Sequence, residues 1–366
     1  VAPESVAIFC RIVDYFGDAG FCWRLSLALR QMGVARVLLV IDRLNILDEL
    51  RGSQRADGLE VLPWNVWADI WARDGVPPQH RVDAVVEAFA CDPPQAFLQA
   101  LPDHAAWITL DYLATEPWAD GVHGRSSPSP ALAHPAARTR RWFVPGFSEA
   151  TGGLLHGSWR HVDAQQRQRW RVRLAGRDVG DDTLLVMGFG YADAPWDALA
   201  RCLAQRLPEG FSSFALWRPS GLQFSQSEFD EILQSCDLNF VRGEDSFVRA
   251  HWASAGPWRV PFLWQPYRQQ ELAHGHKLAG WMHQIFQHPD LAPMADMHWA
   301  WNGLRPALSH QGVHLAAAWV GMVERFPAVR MQQHRACLRF AARRSLESRL
   351  LEMLGERSAN NPGKHS

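Results

Sequence analysis

The chain has 366 residues, more than one core comfortably organises, so two domains are expected. Its 37 Lys and Arg against 38 Asp and Glu leave a net charge of -1, which gives no global field towards nucleic acid or an anionic membrane. The longest aliphatic run is about five residues around Val37 to Ile41, against the roughly 20 that a spanning helix needs.

Val6 to Val13 is apolar and β-branched enough for a buried strand, and it follows no basic segment with a long apolar stretch behind it, so no signal peptide is expected. Phe21 to Met32 places Cys22, Leu25, Leu29 and Met32 at helical spacing, and Gly33 sits where a helix stop belongs. Val37 to Ile41 is a second buried strand ending at Asp42, which completes a βαβ unit of a parallel sheet. Similar alternation runs to about Leu110. From Gly121 to Arg141 the composition shifts to Ser, Pro, Ala and Arg, which reads as a long loop at a domain edge. Polar "RHVDAQQRQRWRVRL" (160 to 174) reads as a helix between two domains. A second series follows, in which the strand-like "LLVMGFGY" (184 to 191), "SFALW" (213 to 217), "LNFV" (238 to 241) and "PFLW" (261 to 264) alternate with helical stretches. After about His310 the chain reads as helical, and the tail "ERSANNPGKHS" as disordered. The six cysteines are scattered with no C-x-x-C pair, which argues against a zinc site or a disulfide framework and fits a reducing cytoplasm. The 18 tryptophans are spread along the whole chain and read as core mass. Two open α/β domains in tandem are the economical architecture, and such sheets bind ligands beyond the carboxyl ends of their strands.

The first turn, "CRIVDYFGDAGFCWRL", has the place of a phosphate cradle but the wrong charge. A dinucleotide fold would want G-x-G-x-x-G; here there is only Gly17-x-x-Gly20, with Asp42 where an acid would hold a ribose. An NAD(P)-dependent oxidoreductase is therefore one reading. Against it, Asp18 at a helix start would repel a pyrophosphate lying on the same amides, while the helix dipole favours a carboxylate there. Asp18 can accept a proton, grip a cation, or simply cap the helix. Asp14, one turn earlier at the end of the strand, has no capping role of its own.

The second turn, "FVRGEDSFVRAHWA" (240 to 253), again runs from a strand into a helix. Arg242 can clamp a diphosphate, Ser246 can add a hydroxyl and helix-end amides, and Glu244 or Asp245 can take sugar hydroxyls. The plain alternative is a capped helix with an Arg–Glu surface pair. Phe189 and Tyr191 fall on one face at the end of a strand, where rings could flank a base or pack in a core. Gln226 and Phe229 could read and stack on a base edge. His274 and His276 form H-x-H without an evident third ligand, so His274 and Lys277 read as helix-face residues rather than a metal site.

These segments, with "LDYLATEPW" (110 to 118), "FVPGFSEATGGLL" (143 to 155) and "PFLWQPYRQQELAHGHKL" (261 to 278), together resemble the EarP family, the arginine rhamnosyltransferases of bacterial elongation factor P. The resemblance implies a GT-B glycosyltransferase, with two Rossmann-like domains facing each other across a cleft. It implies an acceptor-side domain over residues 1–160, onto which the C-terminal helices could pack back. A nucleotide-sugar donor domain would cover 161–345, and a helix end and tail 346–366. The implied reaction is metal-independent and inverting, and needs no cofactor. It moves L-rhamnose from dTDP-β-L-rhamnose to one arginine of elongation factor P, in the cytoplasm, with no nucleic acid or membrane partner. Carried over by position, Asp14 and Asp18 match the acidic pair, with Asp18 as general base. Tyr15 and Gly17, in the same turn, are implied to help bind dTDP-rhamnose. Phe189, Tyr191, Gln226, Phe229, Arg242, Glu244, Asp245 and Ser246 match the donor-side pattern, Glu244 with a positioning or catalytic role. Tyr15 stands where Asn is typical, Pro266 and Arg268 replace the usual Ile and Pro, and His156-Gly157 follows "TGGLL" where Arg and an acid are common. These departures motivate a further reading, a non-catalytic protein that only docks on elongation factor P.

Overall fold

A parallel strand covered on both faces has to be apolar along its length, and the first strand, β1 (Ser5–Cys10), is buried at all six positions. Its side chains alternate between two layers. Val6, Ile8 and Cys10 join one core cluster, and Ala7 and Phe9 another. The computed structural model describes residues 2–52, 54–128, 139–219, 221, 224–267, 273–304 and 314–356. The chain divides into two units, Val1–Ser158 with Arg344–Ser366, and Trp159–Arg343.

In the first unit β1 is followed by α1 (Tyr15–Gln31), β2 (Arg36–Ile41), α2 (Leu44–Arg51), β3 (Leu59–Pro63), α3 (Trp64–Asp74), β4 (Ala84–Ala88), α4 (Gln95–Gln99) and β5 (Ala106–Leu110). A short α5 (Trp118–Val122) and the strands β6 (Ser126–Pro128) and β7 (Thr139–Phe143) complete the sheet, whose order is β3-β2-β1-β4-β5-β7-β6. All pairings are parallel except β6 with β7. β1 therefore has β2 on one side and β4 on the other, and the order in which strands are added to the sheet reverses there. That is the switch point at which open α/β sheets place their ligands.

Two expectations need correction here. The first strand ends at Cys10 rather than Val13, which is 78% exposed, and α1 starts at Tyr15, six residues before Phe21. Gly17 and Gly20 are therefore helical. The segment from Gly121 to Arg141 is not a plain loop, since β6 and β7 form an antiparallel edge of the sheet. Its strand character comes from tertiary partners: Phe143 is fully buried, and Arg140 reaches the buried Glu87 on β4 at 3.3 Å. Residues 129–138 lie outside the described part, as do Arg268 and all of the proposed disordered tail beyond Glu356.

The second unit holds α6 (Ala164–Ala175), β8 (Thr183–Gly188), α7 (Trp196–Gln205), β9 (Ser213–Trp217), α8 (Gln226–Ser235), β10 (Leu238–Arg242), α9 (Asp245–Ala255), β11 (Phe262–Gln265), α10 (Ala273–Ile285), α11 (Ala292–Trp301), α12 (Leu315–Glu324) and α13 (Phe326–Ala341). Its sheet is parallel throughout, in the order β11-β10-β8-β9, with the switch point between β8 and β10. Leu184, Val186, Phe240 and Leu263 pack with Trp196, Trp301 and Trp319 on one face. On the other, the rings of Phe247 and Trp264 stack at 3.7 Å, and Trp281 closes on both. Six of the 18 tryptophans are almost completely buried core mass, whereas Trp118 is 50% exposed.

The last helix, α14 (Leu346–Gly355), belongs to the first unit. Its Leu346, Leu350, Leu351, Met353 and Leu354 lie in the cluster of Val6, Ile8 and Leu25. Glu347 accepts hydrogen bonds from the amides of His156 and Gly157, at 3.2 and 3.0 Å. The unusual His156-Gly157 pair is thus held through its backbone, which either residue type supplies.

Candidate functional site

The turn after β1 is set by two carboxylates that hold backbone. Asp42, at the end of β2, accepts from the amide of Ile12 at 3.0 Å. The acid that could have held a ribose thus anchors the turn. Asp18 is 2% exposed, and its Oδ2 accepts from the amides of Val13 and Asp14 at 2.7 and 2.8 Å. Asp18 is therefore not the N-cap. It lies in the first turn of α1 and reaches back to the amides that precede the helix. The N-cap is Asp14, whose side chain makes no capping bond. Instead the Asp14 carboxylate lies over Gly17, where an added Cβ would come within 2.6 Å of Oδ2. Any larger residue at 17 would make the Asp14 carboxylate shift. Tyr15, 48% exposed, has a φ of 25°, a left-handed value that strains a tyrosine and that asparagine adopts more readily. The helix start and the two amide donors stabilise negative charge at Asp18.

In the second unit the switch point gathers most of the donor-side residues expected there. The Arg242 guanidinium lies 4.8 Å from the ring centroid of Phe189 and 4.9 Å from that of Tyr191, a double cation–π contact. Phe229 meets Phe189 edge-on at 5.1 Å. Gln226 opens α8 behind a capping box of Ser225 and Glu228, one turn before Phe229 and on the same face. Glu244 is paired with Lys277 of α10. Glu244 is the N-cap of α9 and Asp245 its first residue. The Ser246 hydroxyl donates to the Arg242 carbonyl. That directs its proton back to the end of β10. His274 and His276 both lie on α10; among the described residues no three His, Cys, Asp or Glu are grouped as metal ligands would be.

Three residues with geometric roles were given none by sequence reasoning. Gln265, buried at the end of β11, accepts from the Tyr191 amide at 3.0 Å and so fixes the segment that carries both rings. Lys277 holds Glu244. The Tyr112 hydroxyl lies 3.4 Å from Asp18 Oδ2. The only sequence signal for Gln265 was a lone amide closing an apolar strand, and for Tyr112 its place just after a strand.

The profile of the family described as Elongation-Factor P (EF-P) rhamnosyltransferase EarP matches residues 6–210 and 220–355. The protein-arginine rhamnosyltransferase of Pseudomonas putida is 36% identical over 313 residues, covering 75% of this chain and 80% of its own length. That of Pseudomonas aeruginosa is 30% identical over 399 residues, covering 95% and 98%. The solved structure described as "Structural basis for EarP-mediated arginine glycosylation of translation elongation factor EF-P" is similar with a TM-score of 0.54 at 21% identity, covering 95% of this chain and 97% of that one. That likeness concerns the fold, and the two α/β units have the GT-B architecture of glycosyltransferases. With its profile matched along almost its whole length, the chain belongs to the EarP family of elongation factor P rhamnosyltransferases.

Proposed function

We propose that this protein transfers L-rhamnose from dTDP-β-L-rhamnose to an arginine side chain of elongation factor P, with inversion at the anomeric carbon and without a metal ion. The observation that carries the reading is Asp18: a buried carboxylate, oriented by two backbone amides, at the switch point of a parallel sheet in a chain of this family. An arginine side chain is cationic, delocalised and a weak nucleophile. Asp14 and Asp18 together hold the guanidinium and localise its electrons. As a guanidinium nitrogen forms its bond to the anomeric carbon, the bond from that carbon to the diphosphate oxygen breaks. The N–H proton passes to Asp18, and the electron pair leaves with dTDP. The modified arginine keeps its charge, so one proton and dTDP are the only other products.

On the donor side, Phe189, Tyr191 and Phe229 offer ring faces and edges to the base, and Gln226 a hydrogen-bonding edge. Arg242, steadied by two rings, and the first amides of α9 stabilise charge growing on the departing diphosphate. Glu244, held by Lys277, and Asp245 suit the sugar hydroxyls, and Tyr15 and Gly17 shape the turn beneath the reacting centre. Among the described residues no helix is long and apolar enough to cross a membrane. The proposed acceptor places the reaction in the cytoplasm.

The test is intact-protein mass spectrometry of elongation factor P incubated with dTDP-rhamnose and this protein. One rhamnose increment is expected with the native chain. With Asp18→Asn none is expected, while dTDP still raises the melting temperature. No increment with the native chain, or an undiminished one with Asp18→Asn, refutes the proposal.

A further inference from the structure

The second segment at the first switch point is the one after β4, and its backbone is unusual. Phe89, Ala90 and Asp92 have φ values of 58°, 51° and 50°, three non-glycine residues in the left-handed region within four positions. Such a run persists only where the surroundings over-determine it, and it concentrates at functional sites. Here the anchor is Glu87, which is completely buried in β4. Its Oε1 accepts from the Asp92 amide at 3.0 Å, and its Oε2 from Trp107 Nε1 and Thr109 Oγ1, both at 3.0 Å. Arg140 on β7 balances the charge at 3.3 Å. At the near end the Phe89 amide donates to the Leu110 carbonyl at 2.7 Å, and the Cys91 thiol donates to the Phe9 carbonyl at 3.3 Å.

The effect of this clamp is to lay the Phe89 ring flat on Tyr112, with centroids 4.2 Å apart and planes within 12°. On its other side Phe89 meets Phe21 of α1 at 5.8 Å. Tyr112, two residues beyond β5, is thereby held with its hydroxyl 3.4 Å from Oδ2 of Asp18, the same oxygen that accepts the Val13 and Asp14 amides.

We infer that Tyr112, clamped by Phe89 and the strained segment that Glu87 anchors, is the positioning residue for Asp18 in the transfer reaction. Two backbone amides and the Tyr112 hydroxyl, all on Oδ2, set the orientation of the carboxylate that takes the proton. A side chain that served only to fill space would need the ring but not the hydroxyl. The inference rests on the reading of Asp18 as general base.

Tyr112→Phe keeps the ring and its stack and deletes only the hydroxyl. Its expected effect is a loss in kcat of about tenfold to a hundredfold, the range that misplacement of a reacting group produces. KM for dTDP-rhamnose and for elongation factor P should stay within about twofold of the native values, since a group acting only in the transition state leaves ground-state binding alone. The melting temperature should not move. Phe89→Leu, which keeps the hydroxyl and removes the stack, should shift kcat in the same direction. A Tyr112→Phe enzyme with native kcat overturns the inference, as does one that loses only KM or melting temperature. Asp18→Asn, measured beside it, separates the two levels. If Asp18→Asn is inactive and Tyr112→Phe is native, the positioning role alone is wrong; if Asp18→Asn is active, the base reading falls and this inference with it.

Discussion

Two histidines in the second unit should make the fold acid-sensitive by a calculable amount. His251 and His298 are both fully buried. Each ring donates from Nδ1 to the carbonyl four residues back, Phe247 and Met294, at 2.8 Å in both cases. Each accepts at Nε2, from Trp281 Nε1 at 3.0 Å and from the Trp264 amide at 3.1 Å. This network assigns one neutral tautomer to each ring, and a proton on Nε2 would set N–H against N–H. Burial pushes His251 down to about 3 and His298 down to about 4. The folded values are depressed below the unfolded value of about 6.5, so the unfolded chain binds the extra protons. The stability these rings contribute is fully present above that value and is lost as pH falls through 6 towards 4. At pH 5 each costs RT ln(1 + 10^1.5), about 2 kcal/mol, so the pair costs about 4 kcal/mol relative to neutral pH. Urea unfolding at pH 7 and pH 5 reads this directly when the native chain is compared with His251→Gln, whose side chain does not titrate. Carboxylate contributions are common to both proteins and cancel. The variant should lose about 2 kcal/mol less than the native chain over that interval. Equal losses in the two proteins would refute the argument.

Three further outcomes are expected. Arg242→Lys removes a planar group held over two rings and the two-pronged grip it would offer the proposed diphosphate, so dTDP affinity by calorimetry should fall by about 1–3 kcal/mol; an unchanged affinity would move the diphosphate away from Arg242. Tyr15→Asn relieves the left-handed turn and should raise unfolding free energy by about 1 kcal/mol, and no gain would mean that the turn is unstrained. Asp237 accepts from Arg167 at 2.7 Å, from Arg171 at 2.6 Å and from the Leu185 amide at 2.9 Å. Asp237→Ala leaves the buried Arg171 uncompensated and should cost about 3–5 kcal/mol in urea unfolding; a loss below about 1 kcal/mol would show the pair to be dispensable.

Much of the candidate site was legible because its residues are neighbours in sequence. "FVRGEDS" carries Arg242, Glu244, Asp245 and Ser246 within five positions, and a strand-to-helix turn brings such residues together whatever the rest of the chain does. The start of α1 was not legible in the same way. The run from Tyr15 to Gly20 contains two glycines and reads as a turn, but it is helical because Asp18 folds back on the Val13 and Asp14 amides and Asp42 pins Ile12. Lys277 was noticed as a helix-face residue; that its partner is Glu244, 33 positions away, follows from the packing of α10.

The amino-acid sequence by itself determined the class of the fold, because the two-residue period of a strand and the 3.6-residue period of a helix are local and survive in any context. It also determined the chemistry available at each turn, acidic after β1 and, after β10, an arginine followed by two acids and a serine. Only the tertiary structure decided which of those groups act on one another. The placing of α14 on the first sheet, the clamp from Glu87 to Phe89 and the approach of Tyr112 to Asp18 across 94 positions all depend on pairing distant strands. Such contacts cost loop-closure entropy that is repaid only when the whole sheet forms, so no short window of sequence contains them.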